Sequence, residues 1–320
     1  MDVAPPTKMP GQRSPRFRRI QPPPFDLTSR DLDILRAHGR HGVLRSTHVD
    51  RLFPEDSGQQ MRRRLRLLFH AGLLERPKGQ LATMVLGEGT RHYAHTLTKS
   101  GARLLGSDRL RVRVAELDAT LPYLEHDLGV ADFMVSCEVS CRELSEEGLA
   151  FVSFATILQA APLAAQGDRR PAEWKVDIRY RGHATRRRTV RPDGIFGLSI
   201  GASTKFYFLE RDTGTMDVVS RDPDKPSLLR KLYCYAETYR AAVHTSRYAQ
   251  SNMRALFVVP SRARADNLIR AFQEIVARDV SGISARLFLV IDEASLYGAE
   301  GGFFLARWRD MEGVERLLIE

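Results

Sequence analysis

The chain has 320 residues, of which 43% are hydrophobic, and it carries a formal net charge of +10. This length and apolar content predict two domains with hydrophobic cores and exclude a largely disordered protein. No apolar run approaches the roughly 20 residues of a membrane span, the N-terminus holds no hydrophobic signal segment, and three cysteines cannot all pair, so we expect a cytoplasmic protein with free thiols.

Positive charge is concentrated in the first third of the chain. Residues 1–108 contain 19 Lys and Arg against 10 Asp and Glu, whereas the remainder contains 30 against 29. The Pro- and Arg-rich residues 1–25 predict a disordered basic arm, and an arm laid along a DNA groove is the sharper alternative. The asymmetry indicates that the N-terminal part contacts a polyanion, which we expect to be duplex DNA.

The folded part of the chain opens with three predicted helices. The first begins at a capping-box-like sequence at Thr28, and the third occupies residues 57–71. Two β-like runs follow between residues 81 and 97, with a Gly-Glu-Gly tip at 87–89. Three helices followed by a β-hairpin are typical of a winged helix-turn-helix, which we predict over residues 26–106.

The third predicted helix has an apolar face and a basic face. Its buried stripe is predicted at Met61, Leu65 and Leu68, which recur at helical spacing. A solvated surface is the usual meaning of such a charge run, but the excess positive charge of this segment favours DNA contact. The residues predicted to bind DNA are Gln59, Arg62, Arg63, Arg66 and His70.

A change of pattern predicts a second domain. Residues 107–122 predict a helical linker, for which packing against a second copy of the chain, a homodimer, is the weaker alternative. Over residues 123–320 the predicted order is helix, strands, helix, strand, helix, strand, which is an α/β layer with a mixed central sheet. Residues 159–171 are predicted to be an irregular insertion, and 286–291 the last strand.

Two acidic groups adjoin neighbouring β-rich runs in this second domain. Asp193 precedes one run and Glu210 ends the next, so antiparallel pairing would bring both carboxylates to one sheet edge. Two hard oxygen donors suit Mg²⁺ or Mn²⁺, the ions used in phosphodiester chemistry. The spacing resembles the PD-(D/E)xK nuclease signature, except that Asp212 stands where that signature has lysine. Lys231 on the following helix is the candidate replacement, and Glu138 a candidate additional ligand.

A structural interpretation of the same residues stays open. Asp after Pro is common turn chemistry, and the Glu-Arg-Asp sequence suits a salt-bridged strand end. His126 is more simply a packing or capping residue than a base, and the three cysteines lack the paired ligand set of a zinc site. The chain has no glycine-rich phosphate loop and no Rossmann fingerprint, which excludes a nucleotide cofactor and the NTPase and dehydrogenase classes.

Four segments together give the chain a family resemblance. They are Leu27-Thr28-x-Arg30-Asp31-x-x-Ile34-Leu35, Arg63-Arg64-Leu65-x-x-Leu68-x-x-Ala71-Gly72-Leu73-Leu74, His126-Asp127-Leu128-x-Val130, and Phe208-Leu209-Glu210-x-Asp212-x-Gly214-Thr215 with Lys231 and Tyr235 following. In this combination the chain resembles the replication-relaxation family of bacterial plasmids and mobile elements. The resemblance covers about residues 26–240 and implies a winged helix followed by a restriction-endonuclease-like α/β domain.

The resemblance also implies a function. It indicates a DNA-binding protein connected with plasmid replication, DNA relaxation or transfer, acting with other plasmid or mobile-element proteins. It implies that Glu-x-Asp in place of Glu-x-Lys belongs to this type of protein. Three alternatives remain. The nuclease-like domain cleaves or nicks DNA in a metal-dependent reaction, or the protein is a non-catalytic regulator or accessory whose second domain serves dimerisation or partner binding. The third is an RNA- or protein-binding adaptor, which would show no preference for duplex DNA.

Overall fold

The structure of the chain is a computed structural model that describes residues 17–21, 24–80, 92–106, 121–276 and 282–320. The chain divides into two compact units, residues 1–124 and 125–320. The tip at 87–89, the strand expected before it and residues 107–120 of the expected linker lie outside the described residues. No described helix combines the length and apolar composition that a membrane crossing requires.

Unit 1 is built from helices and a small antiparallel sheet. Its elements are α1 (Ser29–His41), β1 (Leu44–Arg45), α2 (Ser46–Leu52), α3 (Gly58–His70), β2 (Leu74–Glu75), β3 (Ala94–Leu97) and α4 (Lys99–Leu104). A capping box between Thr28 and Asp31 begins α1, and the Ser57 side chain caps α3, because each oxygen accepts from an otherwise unpaired backbone N–H. The three strands are ordered β1-β3-β2.

The core of unit 1 lies beneath α3. The predicted stripe of Met61, Leu65 and Leu68 is buried, as the helical spacing indicated. The structure differs from the predicted disordered arm over residues 17–21. Phe17 is buried. The Arg19 side chain donates to one backbone oxygen in the last turn of α3 and to another in β2. This apolar contact and these hydrogen bonds therefore hold residues 17–21 in place.

Unit 2 contains a seven-stranded mixed sheet. Its helices are α5 (Leu121–Glu143, in this unit from residue 125), α6 (Phe154–Ala160), α7 (Leu163–Gly167), α8 (Leu228–Arg240), α9 (Val243–Tyr248), α10 (Arg262–Ala271) and α11 (Glu293–Tyr297). Its strands are β4 (Leu149–Ser153), β5 (Trp174–Ile178), β6 (Arg186–Val190), β7 (Gly194–Ile200), β8 (Ser203–Arg211), β9 (Arg254–Val259), β10 (Phe288–Asp292), β11 (Trp308–Asp310) and β12 (Glu315–Arg316).

The strand order of this sheet is β12-β11-β10-β9-β8-β7-β4, while β5 and β6 form a separate antiparallel hairpin. The pairs β8–β9 and β9–β10 are parallel and the other pairs in the large sheet are antiparallel. Apolar side chains of α5 pack on one face, and those of α8 and α10 pack on the other. The mixed α/β architecture predicted for this region is therefore confirmed.

Some predicted element boundaries were wrong. The insertion at 159–171 contains part of α6 and all of α7, because Ser153 caps a helical turn that small residues continue. The strand at Phe288–Asp292 is not the last, since β11 and β12 extend the sheet beyond it. α10 begins at Arg262 and is followed by a π-type turn at Phe272–Val276.

Candidate functional site

Strand pairing brings the two predicted carboxylates to one edge of the large sheet. β7 and β8 form an antiparallel pair in which Gly194 lies opposite Leu209. Asp193 immediately precedes β7, and its backbone N–H donates to the Leu209 carbonyl at 2.8 Å. Glu210 is the next residue of β8, so the two acidic residues are neighbours across the strands. This is the arrangement that the sequence predicted.

Glu210 is held by two residues of α8. Its side chain is 3% exposed, the Tyr235 hydroxyl donates to Oε1 at 2.5 Å, and Lys231 Nζ contacts Oε2. Lys231 and Tyr235 are four residues apart and therefore share one helix face. Burial raises the pKa of Glu210 to about 7, against the opposing effect of Lys231. Burial alone would lower the pKa of Lys231, but the adjacent carboxylates raise it.

Asp193 is held by a histidine from α5. His126 Nε2 lies 3.2 Å from Asp193 Oδ2, and the Arg211 backbone N–H donates to the same oxygen at 2.9 Å. Hydrogen bonds to Asp127 and Asp193 raise the pKa of His126 to about 9, so the ring carries a proton on both nitrogens at neutral pH. Burial would raise the pKa of Asp193, but His126 and Lys231 hold it below its ordinary value. His126 is a partner of the site, and interpreting it as a packing residue missed this contact.

Gly129 of α5 makes room for the Arg211 side chain, which lies beside the His126–Asp193 contact. Arg211 Nη2 lies 2.7 Å from Glu293 Oε1, and Arg211 Nη1 donates to the Glu125 carbonyl at 3.5 Å. A β-carbon on Gly129 would lie 2.0 Å from Arg211 Nε, well inside contact distance. Glycine at this position allows the guanidinium to lie against α5.

Two other predicted site residues are engaged elsewhere. Arg264 of α10 binds the Asp212 carboxylate through Nε and, at 3.0 Å, through Nη2. Asp212 therefore anchors α10, and its role as a replacement for lysine stays a prediction. Glu138 contacts Arg142 at 3.8 Å. As an added ligand of the site, Glu138 stays a prediction.

The donor chemistry of this group suits a hard cation. Within the described ranges, no three His, Cys, Asp or Glu side chains gather as a metal site, and all three cysteines are free and buried. The half-buried Asp193 and the buried Glu210 provide carboxylate oxygens at neighbouring strand ends. Mg²⁺ is commonly held by one or two carboxylates with water and phosphate completing its shell. The two residues therefore fit such an ion, with the Lys231 ammonium supplying positive charge beside it.

The predicted DNA-binding residues share the outer surface of α3. Gln59, Arg62, Arg63 and Arg66 are exposed, whereas His70 is half-buried and accepts a hydrogen bond from the Ile20 N–H at 3.2 Å. The first four line a cleft of about 670 Å³. Other residues lining this cleft include Arg76, His92, Tyr93 and His95. Burial, together with neighbouring arginines, lowers the pKa of His70.

Two further arginines of unit 1 have distinct environments. The Arg76 guanidinium lies 4.2 Å from the Phe69 ring centroid and 4.4 Å from that of Tyr93, and burial lowers its pKa to about 10. No periodic pattern marks this residue in the sequence, because it follows β2 in a loop. Arg64 belongs to the same charge run as the α3 face but binds the fully buried Asp31, so its role is structural.

The sequence was compared with known proteins. The sequence model of the replication-relaxation family matches residues 35–252. The chain belongs to the replication-relaxation family. The matched region includes α3, both acidic strands and the α8 residues Lys231 and Tyr235, and membership supports a role connected with replication. No curated protein and no solved structure matches the chain.

Proposed function

We propose that this replication-relaxation protein binds duplex DNA through the outer face of α3. The proposal is supported by the order of elements in unit 1, which matches the order expected for a winged helix: a helix, a short strand, two helices and two further strands, with β1 beside β3. In such domains the third helix enters the major groove. The observation that carries the proposal is that Arg63 and Arg66 are exposed on this helix and make no ion pair within the part of the chain that the structure describes.

The DNA interface is tested by salt-dependent binding of the full chain to a fluorescent duplex. Each phosphate contact contributes roughly 0.9 to the slope of log K against log salt, so Arg63→Gln with Arg66→Gln should flatten the slope by about 2. The matched control is Arg36→Gln with Arg103→Gln, which removes the same charge from exposed positions outside α3. Equal slopes for the two double variants would overturn the α3 assignment.

A second candidate function is metal-dependent phosphodiester cleavage at the Asp193–Glu210 edge. It is supported by the contact between Lys231 and Glu210, which supplies the cation missing from the Glu-x-Asp sequence. Asp193 and Glu210 would hold Mg²⁺ or Mn²⁺, an ion that activates water and neutralises phosphate charge when bound. Lys231 would donate to a phosphate oxygen, and Tyr235 would keep the Glu210 carboxylate oriented.

Cleavage is tested with supercoiled plasmid DNA in Mg²⁺ or Mn²⁺. Nicking should disappear in Glu210→Gln and Lys231→Met while duplex binding persists. Lys205→Met is the matched control, because Lys205 bonds to the Ile319 carbonyl near the start of β8 and not to the site. Unchanged binding without nicking by the wild-type chain in either metal would support the non-catalytic regulator or replication accessory instead.

A further inference from the structure

The β5–β6 hairpin concentrates positive charge in unit 2. Residues 174–191 contain seven Lys and Arg and a single Asp, a net charge of +6. The rest of residues 109–320 has 23 basic and 28 acidic residues, a net charge of −5. The near-neutral average of this part of the chain therefore hides a strongly basic surface on an acidic background.

One face of the hairpin fixes it to α8. Trp174, Val176 and Ile178 alternate along β5 and are buried in the core that includes α8. The Trp174 indole N–H donates to the Thr238 hydroxyl of α8 at 2.8 Å. Apolar burial and this hydrogen bond hold the hairpin in one position, so its outward side chains form a preorganised surface.

The opposite face carries exposed cations. Lys175 of β5 and Arg179, which directly follows that strand, are exposed, and Arg187 of β6 lies opposite Asp177 in the register. Among the residues that the structure describes, no acidic side chain lies within ion-pair distance of Lys175, Arg179 or Arg187. Their charges are available to a ligand at little desolvation cost, unlike those of buried pairs.

A second basic row continues from the hairpin onto α8. Arg186 and Arg188 approach the Asp224 carboxylate at 2.8 and 2.5 Å, and Arg230 donates to the Asp224 backbone carbonyl at 2.7 Å. Two guanidinium groups thus share the Asp224 carboxylate and a third binds the backbone of the same residue, on the α8 side of the hairpin. Arg230 directly precedes Lys231, so one turn of α8 carries both the end of this row and the cation beside Glu210.

We infer that the outward hairpin surface, formed by Lys175, Arg179 and Arg187, is a second contact surface for a nucleic-acid backbone. The inference rests on the proposed DNA-binding function and gives unit 2 its own contacts with the polynucleotide. Arginine suits this partner because its planar donor fork matches phosphate oxygens. Repeated, exposed charges on a rigid hairpin match the repeated charges of a phosphate backbone.

The test uses the full chain and the salt-dependent binding assay with duplex DNA. Arg179→Gln with Arg187→Gln should flatten the slope of log K against log salt by about 2. Arg270→Gln with Arg286→Gln is the matched control, since these exposed arginines lie at the end of α10 and before β10 and outside the hairpin. Both pairs are also combined with the α3 double variant, and poly-glutamate is added as a competing acidic polypeptide.

The outcomes separate this inference from the proposed function. A flatter slope in the hairpin variant, with or without the α3 substitutions, supports the inference. A slope equal to that of the control overturns it, while an effect of the α3 variant alone leaves the proposed function standing. An effect of the hairpin variant alone overturns the α3 interface and supports the hairpin. Poly-glutamate displacing DNA as effectively as unlabelled duplex identifies an acidic protein surface as the partner and overturns the inference.

Discussion

Replacing His126 by glutamine tests the electrostatics of the carboxylate edge. The pKa of His126 is raised from 6.5 to about 9 by its hydrogen bonds to Asp127 and Asp193. Protonated His126 therefore stabilises unit 2 fully below pH 6.5, and that contribution is lost as the pH rises through 9. The shift corresponds to about 3 kcal/mol at 1.36 kcal/mol per pH unit, and solvent screening of a side chain that is 26% exposed reduces it to about 1–2 kcal/mol.

The measurement is urea unfolding followed by tryptophan fluorescence at pH 6 and pH 9.5. The chain has two tryptophans, Trp174 and Trp308, and both are buried in unit 2, so the signal reports on the unit that contains His126. Between pH 6 and pH 9.5, the unfolding free energy of the wild type should fall by about 1–2 kcal/mol more than that of His126→Gln. His183→Gln, at an exposed position of the hairpin loop, is the control. The same pH dependence in wild type and His126→Gln would refute the reasoning.

Three further changes test individual contacts. Gly129→Ala should displace the Arg211 side chain and destabilise unit 2 by about 1–3 kcal/mol in urea unfolding, as expected for overpacking. Arg64→Ala should reduce the unfolding free energy of unit 1 by about 3 kcal/mol and so lower its thermal midpoint, because the substitution leaves buried Asp31 without its partner. The unfolding free energy of Glu210→Gln should rise by up to about 3 kcal/mol relative to that of wild type as the pH rises from 4.5 through 7. The reason is that the raised pKa of Glu210 makes its ionisation in the folded state unfavourable.

Matched substitutions separate these effects from general damage. Gly167→Ala adds a methyl group where no atom lies within 4 Å, so it should leave the stability of unit 2 unchanged. Arg63→Ala removes an exposed arginine next to Arg64 in sequence and should change stability by less than about 0.5 kcal/mol. Equal losses in Arg63→Ala and Arg64→Ala would contradict the assignment of Arg64 to the fold. A constant stability difference for Glu210→Gln across the pH range would show that Glu210 has an ordinary pKa.

The central strands could be predicted from sequence because their signals are local. Two β-rich runs separated by a short turn pair as an antiparallel hairpin, and this alone brings Asp193 beside Glu210. The start of α3 was also readable, because Ser57 precedes a helical apolar stripe. β11 and β12 were missed because three- and two-residue strands are too short to show an alternating pattern.

The contacts of the site depended on residues far apart in the chain. His126 precedes Asp193 by 67 positions, and Arg264 follows Asp212 by 52. No sequence spacing specifies such pairs, since they arise from the packing of α5 and α10 against the sheet. Lys231 was a candidate only on the condition that α8 turned this residue toward the site. Its contact with Glu210 is therefore a property of helix–sheet packing and not of the Glu-x-Asp sequence.

The engagement of Asp212 by Arg264 has a consequence for recognising related sites. The positive charge beside Glu210 comes from Lys231 of α8. Asp212, two residues after Glu210, instead binds Arg264 of α10. A search for Glu-x-Lys would pass over this chain, although Lys231 of α8 contacts Glu210. Relatives in which a helix supplies the cation beside the glutamate are better sought by a glutamate at a strand end and a Lys-x-x-x-Tyr spacing on the next helix.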